Sequence, residues 1–201
     1  MARLVMKFGG TSVADLDRIA NAAQKVLREV ERGYDGGRQI EPPPHYNRLR
    51  DILSGYDSVF SYPLRNQTEI PFGLGLAIYS RTPLRDFERL DLPAAAIEFE
   101  FGGKKRHASS RLLIGATTEI DGSRLRILNT HLQAFFMIGA LSNAFPDQRN
   151  LVEAELRKQN GPAILAGDMN TAPEENLVEQ FEAVGFSTVQ KTEPTWKRRP
   201  Y

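Results

Sequence analysis

The side chains best equipped for chemistry in this sequence sit in two short segments, Asn129-Thr130-His131-Leu132 and Gly167-Asp168-Met169-Asn170. Each follows a run that reads as a buried strand, residues 125–128 and 163–166. A strand that stops at a polar residue delivers it to the rim of a sheet, and two such rims can meet in one cleft. A histidine, a carboxylate and a carboxamide would then converge, which is the equipment for moving a proton and orienting a water at a phosphate. Asp168 and Asn170, two apart on an extended strand end, would point to the same side. The carboxylate accepts hydrogen bonds, and the neutral carboxamide donates without adding repulsion toward a phosphate. Taken singly, each motif has a plainer use. Gly-Asp-x-Asn is common where Asp and Asn satisfy backbone groups in a strand-to-loop turn, and Thr-His often marks a hydrogen-bonded histidine at a strand end.

The elements that must position these residues follow from periodicity and turn chemistry. Residues 3–8 read as a strand and Gly9-Gly10-Thr11-Ser12 as a turn. A helix follows, with Leu16, Ile19, Ala20, Ala23, Val26, Leu27 and Val30 on one face, closed by Gly33. Pro42-Pro43-Pro44 reads as extended chain, and Tyr46, Leu49 and Leu53 predict a short helix over 45–54. Residues 58–62 and 74–80 look like strands, with Arg81-Thr82-Pro83-Leu84 turning out of the second. Ile97-Glu98-Phe99-Glu100-Phe101 alternates as a half-buried strand, and Gly102-Gly103-Lys104-Lys105-Arg106 reads as a basic turn. Residues 111–120 and 124–128 form a hairpin about Asp121-Gly122. Helices are expected over 147–159 and 172–183, the second opened by Thr171-Ala172-Pro173-Glu174 at capping-box spacing. A helix, then adjacent antiparallel strands, then strand–helix–strand–helix, is an α+β pattern with stacked sheets rather than a parallel doubly wound sheet.

Bulk properties narrow the chemistry. A formal net charge of +1 over 201 residues argues against a nucleic-acid coat or a polyanion-binding tail. Cysteine is absent, so a disulfide, a thiolate metal site and a cysteine nucleophile are excluded, and any metal must be held by oxygen or imidazole. No apolar run approaches the ~20 residues of a membrane span. The N-terminal apolar stretch is short and carries Lys7, unlike a signal peptide, so the expected location is cytoplasmic. The apolar run Gln133-Ala134-Phe135-Phe136-Met137-Ile138 is expected in the core. Oligomeric state is not legible.

The ordered set of motifs resembles a known family. Gly75-Leu76-Ala77-Ile78-Tyr79-Ser80-Arg81-Thr82-Pro83-Leu84, Leu128-Asn129-Thr130-His131-Leu132, Asp147-Gln148-Arg149, Gly167-Asp168-Met169-Asn170 and Thr195-Trp196 are together similar to the endonuclease/exonuclease/phosphatase (DNase I-like) superfamily. The resemblance covers about 38–199. It implies a four-layer α/β sandwich with antiparallel sheets and metal-dependent hydrolysis of a phosphoester, by a phosphodiesterase/nuclease or a phosphatase, using Mg²⁺ or Mn²⁺. Asp168 would orient or deprotonate the attacking water and bind the metal. Asn170 would hold that carboxylate or the phosphate, and His131 would act as an acid or a phosphate contact. The substrate would be a phosphate ester or a nucleic acid.

The superfamily pattern also calls for an Asn ending its first strand, a Glu in an apolar-Gln-Glu segment, a later Asp and a closing Asp-His pair. None is found in this sequence. The expected fold is therefore an incomplete sandwich over 36–201, lacking its first strands and its C-terminal strand and loop. Loss of members of a catalytic unit costs ~10³ or more in rate, so the expected hydrolase is impaired, and a catalytically inactive fusion or fragment is the alternative.

Residues 1–35 carry a second resemblance. Val5-Met6-Lys7-Phe8-Gly9-Gly10-Thr11-Ser12-Val13-Ala14 and the helix after it are similar to the opening of aspartate kinases. That resemblance implies a β-loop-α fragment in which Lys7, Gly9 and Gly10 would contact nucleotide phosphates if the rest of the site existed. An amino-acid kinase remnant is thus a further alternative. The expectation is a strand–turn–helix that packs against the following domain.

Overall fold

A computed structural model describes residues 44–62, 75–101 and 103–188. The kinase-like segment, Thr195-Trp196 and the basic run 197–199 lie outside the described residues. In chain order the elements are α1 (Pro44–Ile52), β1 (Asp57–Ser61), β2 (Leu76–Ser80), β3 (Arg85–Leu92), β4 (Glu98–Phe101), β5 (Lys104–His107), β6 (Arg111–Ile120), β7 (Ser123–His131), α2 (Asp147–Leu156), β8 (Ala163–Asp168) and α3 (Leu177–Glu182).

The central sheet has the order β3-β6-β7-β8; β3, β6 and β7 pair antiparallel, and β8 joins β7 in parallel. The β6–β7 hairpin turns through Asp121 and Gly122, both at positive φ (50° and 75°), as a tight two-residue connection requires. The parallel step needs a crossover, and α2 supplies it. The β1–β2 hairpin makes a second sheet and β4–β5 a third small one.

Alternation along the central strands divides the core in two. Leu112, Ile114 and Ala116 of β6 and Ile127 of β7 pack against Val59, Leu76 and Ile78 of the β1–β2 sheet. From the opposite face Leu92, Leu113, Leu128 and Leu132 meet Val152 and Leu156 of α2 and Leu177 and Phe181 of α3. On the outer face of β1–β2, the Tyr46 ring of α1 lies 5.0 Å from Phe60 and 5.6 Å from Tyr79. The layers run helix, sheet, sheet, helix, so the α+β sandwich expected from the sequence is the fold found.

Several local expectations change. β7 and β8 do not stop before the motifs but continue through His131 and Asp168. Lys104, Lys105 and Arg106 are strand rather than turn; they pair with Phe101, Glu100 and Phe99. The segment expected as one helix over 172–183 is a 3₁₀ turn, Pro173–Glu175, followed by α3, because Asn176 adopts φ 57° and breaks the helical path. β3 had no counterpart in the sequence reading. The apolar run 133–138 splits: Phe135 is 3% exposed and Met137 66%.

Candidate active site

The pairing of β7 with β8 places the two motifs side by side. Register partners are Asn129↔Ala166, Thr130↔Gly167 and His131↔Asp168. The Leu132 amide then donates to the Asp168 carbonyl at 3.0 Å, extending the pairing one step past the strand ends. Gly167 permits this approach. Its φ is +135°, and a Cβ there would stand 1.8 Å from the Thr130 carbonyl oxygen. The glycine of the Gly-Asp motif is therefore a packing requirement.

Within Asn-Thr-His, the three side chains divide their work. Asn129 Nδ2 donates to the Ala77 carbonyl of β2 at 3.1 Å, tying the two stacked sheets together. Thr130, fully buried, donates from Oγ1 to the Leu112 carbonyl at 2.9 Å. His131 is left to face the rim, with Nε2 at 3.9 Å from Asp168 Oδ2. Burial, and then the positive charge of Arg111, hold the His131 imidazole below its usual pKa, and Asp168 opposes them. The ring therefore favours its neutral form at neutral pH.

Asp168 is well exposed, its side chain 66% accessible. Its Oδ1 accepts the Asn170 main-chain N–H at 3.1 Å. Asn170 itself differs from the expectation of an extended strand end. It lies at φ 46°, in the left-handed region that Asn tolerates. Its Nδ2 donates to the Leu132 carbonyl at 2.8 Å. Asn170 thus holds the Asp168 carboxylate through its backbone while its side chain fastens the two strand ends together. The three candidate residues do converge, but the carboxamide reaches Leu132 rather than standing parallel to the carboxylate.

A polar network joins Gln133, next in sequence to Leu132, to Arg111 and Gln148. Gln133 Oε1 accepts from Arg111 Nη2 at 3.2 Å and from the Ser109 amide at 3.3 Å. Gln148 of α2 accepts the Gln133 amide at 3.1 Å and donates to the Pro93 carbonyl at 2.9 Å. Gln148 and Arg149 of the Asp147-Gln148-Arg149 motif are both buried, which gives that motif a structural role. Among the described residues, no three His, Asp or Glu side chains cluster closely enough to hold a metal ion.

Comparison with protein-family models gives no match, and comparison with characterised proteins gives none. Solved structures do match. An endonuclease/exonuclease/phosphatase family protein from Leptotrichia buccalis C-1013-b superposes with a TM-score of 0.50 at 17% identity, over 72% of this chain and 52% of its own. The fold is DNase I-like. The human Nocturnin catalytic domain, with bound sulfate anion, matches with a TM-score of 0.47 at 18% identity, over 69% of this chain and 52% of its own. A further family protein, from Bacteroides thetaiotaomicron, gives 0.48 at 19%, over 69% and 50%. The chain spans about half the length of these structures. The β7 and β8 ends form one rim of the central sheet, with His131 and Asp168 adjacent on it. Among the described residues no helix is long and apolar enough to cross a membrane.

Proposed function

We propose that the chain is a phosphoester hydrolase, a phosphodiesterase/nuclease or phosphatase of the endonuclease/exonuclease/phosphatase type. The observation that carries this reading is the parallel ending of β7 and β8, which sets His131 against Asp168 on the rim of a DNase I-like sheet. Residues 36–201 would form this domain, with the kinase-like residues 1–35 as a separate segment.

The roles follow from the local chemistry. Asp168 keeps Oδ2 beside His131 while Oδ1 is held by the Asn170 amide, and its side chain is 66% accessible, so the carboxylate is anchored and still able to accept a proton from water. Neutral His131 offers a ring N–H to a phosphate oxygen without the cost of a buried charge. Arg111 adds positive potential near that position, which favours an anionic substrate. Asn170 is the group that keeps the carboxylate aimed.

The resemblance implies Mg²⁺ or Mn²⁺, ions that take hard oxygen ligands. Asp168 is a donor of that kind. The described residues do not by themselves complete such a site, since no cluster of three ligating side chains occurs among them. The same observation supports the second reading, a catalytically inactive chain that keeps the fold. Hydrolysis of bis(p-nitrophenyl) phosphate, p-nitrophenyl phosphate and DNA with Mg²⁺ or Mn²⁺ separates the two. Turnover that EDTA abolishes and Asp168→Ala removes is expected. Absence of turnover by the wild-type chain on every substrate would favour the inactive reading.

A further inference from the structure

Glu175 is buried, 4% exposed, and the roles assigned so far do not use it. Its carboxylate lies between two connections. Oε1 accepts the Ala172 amide at 3.0 Å. Oε2 accepts the Ser142 amide at 2.5 Å, across 33 residues of sequence. Ala172 lies two residues beyond Asn170. Ser142 begins a short 3₁₀ turn in the connection that leaves His131.

Arg149 of α2, also buried, closes the arrangement. Its Nη1 donates to the Glu175 carbonyl at 2.7 Å and to Ser142 Oγ at 3.4 Å. Its Nε donates to Gln180 Oε1 on α3. Ser142 Oγ also lies 3.4 Å from Thr171 Oγ1. Burial works against the Arg149 charge, and Glu175 is the first group to offset it. Capping the Pro173–Glu175 turn needs the Ala172 contact alone. A buried carboxylate costs several kcal/mol unless its oxygens are paired, and here the second oxygen goes to the other connection.

We infer that Glu175 is a positioning residue whose carboxylate fastens the segment leaving Asp168 and Asn170 to the segment leaving His131, so that both sides of the candidate site keep one geometry. The inference rests on reading His131 and Asp168 as site residues. Glu175→Gln tests it, because the amide keeps the size but turns one acceptor into a donor facing an N–H.

The experiment is amide hydrogen exchange on the full chain below its melting temperature, paired with bis(p-nitrophenyl) phosphate hydrolysis in Mg²⁺. In the wild type the Ser142 and Ala172 amides open with the same free energy, since one carboxylate holds both. In Glu175→Gln the amide left facing the new NH₂ group, that of Ser142 or of Ala172, exchanges about ten-fold faster or more, while β6 keeps its protection. There kcat falls about 10- to 100-fold, as loss of reactant positioning does, and KM is held. Wild-type amides that open independently, a folded variant in which neither amide exchanges faster, or unchanged kcat despite faster exchange would overturn the inference. Should the variant not fold, the wild-type comparison of the two amides decides. Should the wild type turn over none of bis(p-nitrophenyl) phosphate, p-nitrophenyl phosphate and DNA, the hydrolase reading fails and the exchange data alone decide the tether.

Discussion

His131 and Asp168 are register partners at the ends of two parallel strands, with imidazole Nε2 3.9 Å from carboxylate Oδ2. The distance is set by backbone pairing rather than by side-chain reach. Anything that forces β7 and β8 apart must therefore separate the two groups.

Gly167→Ala does this directly. The added Cβ would meet the Thr130 carbonyl at 1.8 Å, at a φ of +135°. A strained backbone position costs about 1–3 kcal/mol, and here a backbone clash is added. A loss of about 3 kcal/mol or more in urea unfolding is expected, together with loss of any hydrolytic activity. A variant within about 0.5 kcal/mol of wild type, the range of an ordinary surface substitution, would show that the strands do not approach as described.

Gly115 serves a different contact. A Cβ there would lie 2.5 Å from Arg126 Nη2 and 2.9 Å from Leu128 Cδ2. The bare backbone lets Arg126 cross β6 and reach Glu88 Oε2 at 2.6 Å and the Asp86 carbonyl at 2.7 Å on β3. Gly115→Ala should cost about 1–3 kcal/mol by overpacking. Part of that cost should vanish in an Arg126→Ala background, and a double-mutant cycle measures the coupling. Strict additivity would mean that the guanidinium does not lie over Gly115.

Stability should depend on His131 in the weakly acidic range. Burial and the Arg111 charge hold its folded pKa below the ordinary value of 6.5. The unfolded chain then takes up a proton before the folded one as pH falls. This contribution is fully present above about pH 6.5 and is lost as pH falls toward the folded value. Unfolding free energy measured across that range should decline more steeply for wild type than for His131→Gln. Parallel curves would contradict the assignment.

Asn129 and Thr130 should matter for stability and little for chemistry. Asn129→Ala removes the bond to the Ala77 carbonyl, and Thr130→Val removes the one to the Leu112 carbonyl. Each should cost about 1 kcal/mol, the net worth of a typical intramolecular hydrogen bond. Both should retain activity at temperatures where they stay folded. Hydrolysis lost by a folded Asn129→Ala variant would move that residue into the site.

How much of this was legible depended on whether a signal was local. Asp121-Gly122 announced its hairpin because two positive φ values suit those residue types. β6 was readable from its apolar run, and β8 from Ala163-Ile164-Leu165-Ala166. β3 was hidden because it is an exposed edge strand, Arg-Asp-Phe-Glu-Arg-Leu-Asp-Leu, with a register shift between Arg85 and Glu88; no clean alternation survives there. Lys104-Lys105-Arg106 looked like a turn because its charges mask an exposed hairpin strand. At the site, residue types and order pointed to His131, Asp168 and Asn170. The strand-to-loop turn was legible as the plainer use of Gly-Asp-x-Asn, and Asp168 and Asn170 both satisfy backbone groups there; the partner of Asn170 Nδ2, the Leu132 carbonyl 38 residues away, was not. The second contact of Glu175 was hidden likewise, since its partner Ser142 is distant in sequence.

We propose that His131 and Asp168 act as one unit in phosphoester hydrolysis. The direct measurement is kcat/KM of His131→Ala, Asp168→Ala and the double variant with bis(p-nitrophenyl) phosphate in Mg²⁺. Each single variant is expected to lose about 10²-fold or more, and the double variant little beyond the worse single one, as members of a unit do. Independent, multiplying losses, or a wild-type rate retained by either single variant, would contradict it.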